Sequence, residues 1–204
     1  MATERKLYYI HDPMCSWCWA FRPVWEQIVK QLPASITVQN LLGGLAPDSD
    51  EPMPLKMQNQ IKGFWQVIEK RVPGTAFNYD FWTKCSPRRS TWPACRAVIA
   101  ARKEDVKFEE PMILAIQKAY YLEARNPSDD VVLSELAELL GMDRGLFLLD
   151  LNSAETQKQL VSEIQYSQKI GARGFPGLIL VQDDHPQLID FDYNDPQLVL
   201  AQLR

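Results

Sequence analysis

His11-Asp12-Pro13-Met14-Cys15-Ser16-Trp17-Cys18-Trp19 is the stretch on which the fold turns. Before it, Lys6 to Ile10 is a short β-prone run, and Pro13 cannot continue a ladder from a central position, so a strand ends here. After it, Trp17, Phe21, Val24, Trp25, Ile28, Val29 and Leu32 recur at spacings of three and four. That is one broad apolar stripe of a helix, which Pro33 closes. Two cysteines three residues apart therefore stand between a strand end and a helix start. Only a thiolate attacks a disulfide, and an ordinary cysteine, with a pKa of about 8.5, is mostly protonated at neutral pH. The open N–H groups and positive dipole end of a helix N-terminus favour the anion, and Cys15 is placed to meet them. Cys18, one turn on, is within reach to resolve a mixed disulfide. The spacing makes Cys15 the expected nucleophile and Cys18 the resolving thiol, against two alternatives: half of a zinc site, or inert core thiols.

Outward from the motif, Ser35 to Leu42 reads as a second buried strand that stops at Gly43-Gly44. From about Pro54 to Ile170 the pattern is helical almost throughout. Ser128-Asp129-Asp130 opens one helix that Gly141 stops, Asp143 caps a short one, and Asn152 or Ser153 starts another ending near Gly171. Arg173 to Gly177 is a loop, Leu178 to Val181 and Gln187 to Asp190 form a hairpin around Gln182 to Pro186, and Pro196 to Leu203 is a last helix. The order β-α-β, helical block, β-β-α predicts an α/β chain. Residues 1–50 and 172–204 would form its sheet domain, with residues 51–171 an all-helical insertion including the helix that returns to the sheet.

The chain has 204 residues, is 46% hydrophobic and 24% charged, and carries a net charge of -4. No basic excess is available to neutralise phosphates, which argues against nucleic acid as a partner. No run of 18 apolar residues is present for a membrane span, and only Leu7 to Ile10 could serve as the apolar core of a leader. The expected setting is cytoplasmic. There, four cysteines are thiols, ligands or redox groups rather than a structural disulfide framework. Asp12 and Glu26 are candidate proton acceptors, with solvated or capping roles favoured for both.

Gly174-Phe175-Pro176-Gly177 ahead of a terminal hairpin adds a second mark. With Asp12 to Trp19, and with Ala137 to Asp143 running on to Gly171 and Pro176, the chain resembles the DsbA-like branch of the thioredoxin superfamily, and within it the FrnE-like and predicted disulfide-isomerase members. The resemblance implies a thioredoxin fold with a helical insertion. It also implies thiol–disulfide exchange through Cys15 and Cys18, and a cis proline at Pro176 facing them. Ser16, Trp17, Phe175 and Pro176 would then form the surface that aligns a disulfide-containing protein or a small thiol substrate, with no bound cofactor and glutathione as a candidate reductant. The departures are a missing leader and the absence of a histidine between the cysteines, which favour reductase or isomerase chemistry over strong oxidation. Glutathione-dependent transferases and isomerases of the kappa and hydroxychromene-carboxylate type share the architecture but normally carry Ser in place of the first Cys. A redox-inactive binding or zinc-holding protein is the alternative outside enzymes.

Cys85 and Cys95 flank Ser86-Pro87-Arg88-Arg89-Ser90-Thr91-Trp92-Pro93-Ala94. Pro93 suits the first turn of a helix running toward Lys103, which puts Cys95 in that turn as well. Reduced, partly buried thiols are the expected state, with a second redox pair as the alternative and a metal site behind it. Arg88, Arg89 and Arg173 are read as solvent-facing, with carboxylate binding as the sharper option.

Overall fold

Arg5-Lys6-Leu7-Tyr8-Tyr9-Ile10-His11 forms strand β1 (Arg5–His11) in the computed structural model, which describes residues 5–204. The first four residues of the expected sheet segment lie outside the described residues. β1 is central, parallel to β2 (Ile36–Leu42) and antiparallel to β3 (Gly177–Gln182). A short β4 (His185–Leu188) at the edge completes the order β2-β1-β3-β4. A strand buried on both faces needs consecutive apolar residues, and β1 has them. Leu7 and Tyr9 face a layer that includes Phe21, Trp25, Ile28, Val199 and Leu203. Tyr8 and Ile10 face the other way, onto Leu41, Ile179 and Ile170. α1 (Ser16–Gln31) and α9 (Gln197–Leu203) thus cover one face, and the end of α8 (Ala154–Lys169) covers the other.

Residues 51–171 hold the other helices: α2 (Leu55–Arg71), α3 (Phe81–Lys84), α4 (Trp92–Glu104), α5 (Glu109–Tyr121), α6 (Asp130–Leu139) and α7 (Arg144–Leu151). α4 is the axis of this block. Its residues Pro93 to Ala101 are all buried, and Ala94, Ala97, Ala100 and Ala101 leave room for close packing on every side. Trp65 anchors an aromatic cluster beside it, stacked on Phe77 at 4.8 Å and edge-on to Tyr120 and Tyr121 at 5.8 Å. Met14, Ala20 and Leu42 belong to the same packed cluster, so the helical block rests directly on the loop between β1 and α1 and on the end of β2. The caps read from sequence form as side-chain bonds: Leu146 N–H donates to Asp143 at 2.8 Å, and Thr156 N–H donates to Ser153 at 3.1 Å. Gly141, at φ 90°, closes α6. Among the described residues no helix is long and apolar enough to cross a membrane.

The terminal hairpin differs from expectation. β4 begins at His185, and the connection is a two-residue turn at Asp183-Asp184, with φ of 51° and 62°. Two positive φ values match the right-handed twist of a hairpin, and aspartate tolerates them better than most residues. Pro186, expected in the loop, pairs with Val181 inside the strand. Because β4 is the sheet edge, proline's missing N–H leaves no ladder bond unmade on the open side.

Candidate active site

The turn from β1 into α1 is held by Asp12. Its Oδ1 accepts from Met14 N–H at 2.8 Å. Its Oδ2 accepts from Leu45 N–H at 2.8 Å, from the Thr91 hydroxyl at 2.6 Å and from the Cys95 thiol at 3.4 Å. Those donors come from the loop before α1, the segment after β2 and the start of α4, so one carboxylate ties three pieces of chain together. Asp12 is fully buried, and burial pushes its pKa up, with the Thr91, Leu45, Met14 and Cys95 hydrogen bonds pulling back. Of the solvated or capping role expected for it, burial corrects the first, while the bond from Met14 N–H fits the second: a carboxylate is kept inside when enough donors replace water. Glu26, by contrast, stays half-exposed in an ion pair with Arg22 at 3.0 Å.

Cys15 is the N-cap of α1, with extended backbone (φ −82°, ψ 115°) and its N–H bound to the Asp12 carbonyl at 3.0 Å. No side chain caps this helix end and no acidic residue stands in its first turn, so the positive end of α1 is left to the sulfur. Cys15 Sγ lies 3.7 Å from the carbonyl oxygen of Phe175, and the Phe175–Pro176 peptide is cis. The Phe175 ring packs on Gly43 so closely that a Cβ there would stand 1.8 Å from it. Gly43 N–H in turn donates to the His11 carbonyl at 2.7 Å.

Cys18 is fully buried beneath Cys15. Burial raises its thiol pKa well above the usual range, and the hydrogen bond and charge of Cys15 raise it further. Its sulfur also shares a hydrogen bond with the Tyr9 hydroxyl, whose own pKa burial raises first of all. Cys18 therefore holds its proton while Cys15 is free. A groove of about 410 Å³ opens over Cys15, walled by Trp17, Phe64, Trp65, Tyr120 and Phe175. Trp17 is only half-open: it packs on Tyr193 at 4.9 Å with the Arg71 guanidinium 5.6 Å from its ring. Ser16, Trp17 and Phe175 line the groove with Cys15, whereas Pro176 is buried behind Phe175 and is not among the lining residues.

Residues 9–202 match the family described as the DSBA-like thioredoxin domain. The chain belongs to that family. A Nitrosomonas europaea protein provisionally described as a protein disulfide isomerase shares 30% identity at a TM-score of 0.84, over 98% of this chain and 95% of that one. The cytosolic disulfide reductase DsbM from Pseudomonas aeruginosa shares 24% identity at a TM-score of 0.75, over 91% and 89%. The ClpXP adapter protein SpxH of Bacillus subtilis is 22% identical over 180 residues, which take up 88% of this chain and 59% of the relative. The chain therefore spans under two thirds of the length of the curated relatives it matches. The fold is the DSBA-like thioredoxin fold, a mixed four-stranded sheet with helices, and the family is one of thiol–disulfide oxidoreductases.

In this DSBA-like frame the second cysteines face different partners. The Cys85 thiol donates to the Ala124 carbonyl at 3.1 Å, while Cys95 donates to Asp12. All four cysteines are free, and burial raises the pKa of both Cys85 and Cys95, that of Cys95 further because the Asp12 charge faces it. Among the described residues no three His, Cys, Asp or Glu side chains gather where they could share a cation. The arginines part ways. Arg173 is exposed as expected, but Arg88 is tied to the Ser128 carbonyl and to Asp129 at 2.8 Å, and Arg89 lines the groove. Gly43 was read only as a strand stop. A glycine at a strand end opposite a bulky loop residue is the signal that would have marked it as a contact point.

Proposed function

We propose that this protein is a disulfide reductase or isomerase of the cytoplasm, working by dithiol exchange through Cys15 and Cys18. The observation that carries the reading is the Cys15 sulfur at the uncapped start of α1, 3.7 Å from the Phe175 carbonyl and directly over a buried Cys18. Cys15 thiolate attacks one sulfur of the substrate disulfide, forming a Cys15–substrate bond and releasing one thiolate. Bonding removes the Cys15 hydrogen bond and charge that add to burial in raising the Cys18 pKa, so Cys18 gives up its proton more easily in the mixed disulfide. Cys18 passes its proton to the departing thiolate and attacks Cys15, so a Cys15–Cys18 disulfide forms and the second thiol leaves. Two electrons have moved from protein to substrate. The backbone of Phe175 and the faces of Ser16, Trp17 and Pro176 align the substrate for the first attack.

Glutathione is the reductant we assign for the return half of the cycle, with no resident cofactor. A DsbM structure carries GSH, and the groove over Cys15 is of a size for a small peptide thiol. Reduction of insulin disulfides under a glutathione-regenerating supply tests the reading. Wild type is expected to turn over, Cys15→Ser to be inactive, and Cys18→Ser to accumulate the mixed disulfide on Cys15. Full activity in Cys15→Ser would overturn it.

A further inference from the structure

Arg89 lines the groove over Cys15 and, the reacting Cys15 sulfur apart, is its one charged lining residue; Met14, Trp17, Leu45, Phe64 and Tyr120 around it carry no charge. It is half-buried and has neither a hydrogen bond nor an ion pair among the described residues, whereas its neighbour Arg88 has both. Its charge acts inward, pulling down the pKa that burial raises at Tyr120. A guanidinium withdrawn from water without a counter-ion is costly, and a carboxylate accepting its planar fork of N–H groups is the partner that offsets the cost.

Resting on the dithiol reading above, we infer that Arg89 sets the substrate class: the disulfides this groove takes carry a carboxylate close to the scissile sulfur. Two sources supply that chemistry, a small acidic thiol in its disulfide form and an acidic residue beside a protein cystine. The enclosed volume of the groove, about 410 Å³, favours the first. The exchange is the one already written, with the dithiol oxidised, the substrate disulfide reduced to two thiols, and Arg89 holding the carboxylate while Cys15 attacks.

The test is a single-turnover series with pre-reduced protein and three disulfides of matched length: 3,3′-dithiodipropionate, bis(2-hydroxyethyl) disulfide and cystamine, which are anionic, neutral and cationic. Each rate is divided by that of dithiothreitol with the same disulfide, which removes differences in intrinsic reactivity. Wild type is expected to prefer the anionic over the cationic disulfide by about tenfold or more, the worth of one charge-assisted pair. Arg89→Ala should bring that ratio near one, Arg89→Glu should invert it, and Arg89→Lys should keep its sign. The ratio is internal to each variant, so a general loss of fold or activity does not mimic the effect. An unchanged ratio in Arg89→Ala and Arg89→Glu would overturn the inference while leaving the dithiol reading intact. Failure of wild type to reduce any of the three would bring down that reading and the inference with it. Glutathione disulfide and a cystine peptide flanked by glutamates then separate the sources, by which of them loses more rate in Arg89→Ala.

Discussion

Cys15 caps α1 and Cys95 sits in the first turn of α4, so two sulfurs meet the same kind of helix end in opposite surroundings. Cys15 is itself buried at 7% exposure, but it lines a groove and faces a carbonyl. Cys95 is fully buried, donates to Asp12, and has its pKa raised well above the usual range by burial and by that carboxylate. A helix dipole contributes on the order of 1 kcal/mol, whereas desolvation can move a buried group by several pKa units. Proximity to a helix start is thus too small an effect to make a thiol reactive; access and the neighbouring charge decide. The comparison is sharpest in the serine variants. Cys15→Ser should lower disulfide reduction by at least about a thousandfold, as expected when a nucleophile is removed. Cys95→Ser should leave it within about twofold, because its sulfur never reaches substrate. A large loss in Cys95→Ser, with the fold intact by circular dichroism, would break the comparison and restore a redox role for that cysteine.

Alkylation probes the same difference without mutation. Iodoacetamide should label native Cys15 first. Cys95 should react only through unfolding, so that added urea speeds it steeply while barely changing Cys15. Peptide mass mapping over time gives both rates, expected to differ by a factor of about 10² or more in the native protein. Equal rates would mean that α4 opens locally.

Gly43 tests the open side of the comparison. The Phe175 carbonyl is beside Cys15 because the Phe175 ring packs closely against a residue without a side chain. Gly43→Ala forces the ring away, since the new Cβ would meet the aromatic carbons themselves rather than a flexible tip. The expected cost is about 1–3 kcal/mol of stability, and a fall in activity of about tenfold as the carbonyl leaves its place. Activity unchanged at normal stability would remove Phe175 from the aligning surface.

The strand, Cys15 and the helix were legible from sequence because each is written in neighbouring residues: the β-prone run, the proline stop and the apolar stripe. The Phe175-Pro176 loop was legible as a loop, but its cis bond and its place facing Cys15 came through resemblance alone. What escaped was decided by distant chain. Asp12 looks like a surface carboxylate, and its burial depends on donors at Leu45, Thr91 and Cys95, which lie 33, 79 and 83 residues away. Arg88 and Arg89 are adjacent and equivalent as text, yet one is tied to Asp129 and the other faces the groove. Pro186 argues against a strand until β4 is seen to be an edge.

Asp12 adds to burial in making the surroundings of Cys95 hostile to a thiolate, and its own titration gives the smallest and most specific prediction. Its pKa in the folded protein is raised above 3.8, so above that pH the folded state holds a proton that the unfolded chain has lost. Stability from this group therefore falls as pH rises toward the raised value. His11, next door, works the other way. It is buried with neither ring nitrogen bonded to a described group, and burial lowers its pKa from 6.5 to about 3. Between those values the unfolded chain binds the extra proton, so stability rises with pH. The two slopes oppose each other from about pH 4 upward. Asp12→Asn should expose the histidine slope, making urea stability fall faster toward acid, by up to about 1.4 kcal/mol per pH unit. His11→Phe, which keeps the stacking on Tyr9 at 5.0 Å, should expose the aspartate slope and make stability fall as pH rises. Other carboxylates contribute equally to all three proteins and cancel in the differences. Parallel stability curves for wild type and Asp12→Asn would mean that Asp12 is ionised as easily folded as unfolded. The charge facing Cys95 would then cost the fold nothing and would stand beside burial in holding that thiol protonated.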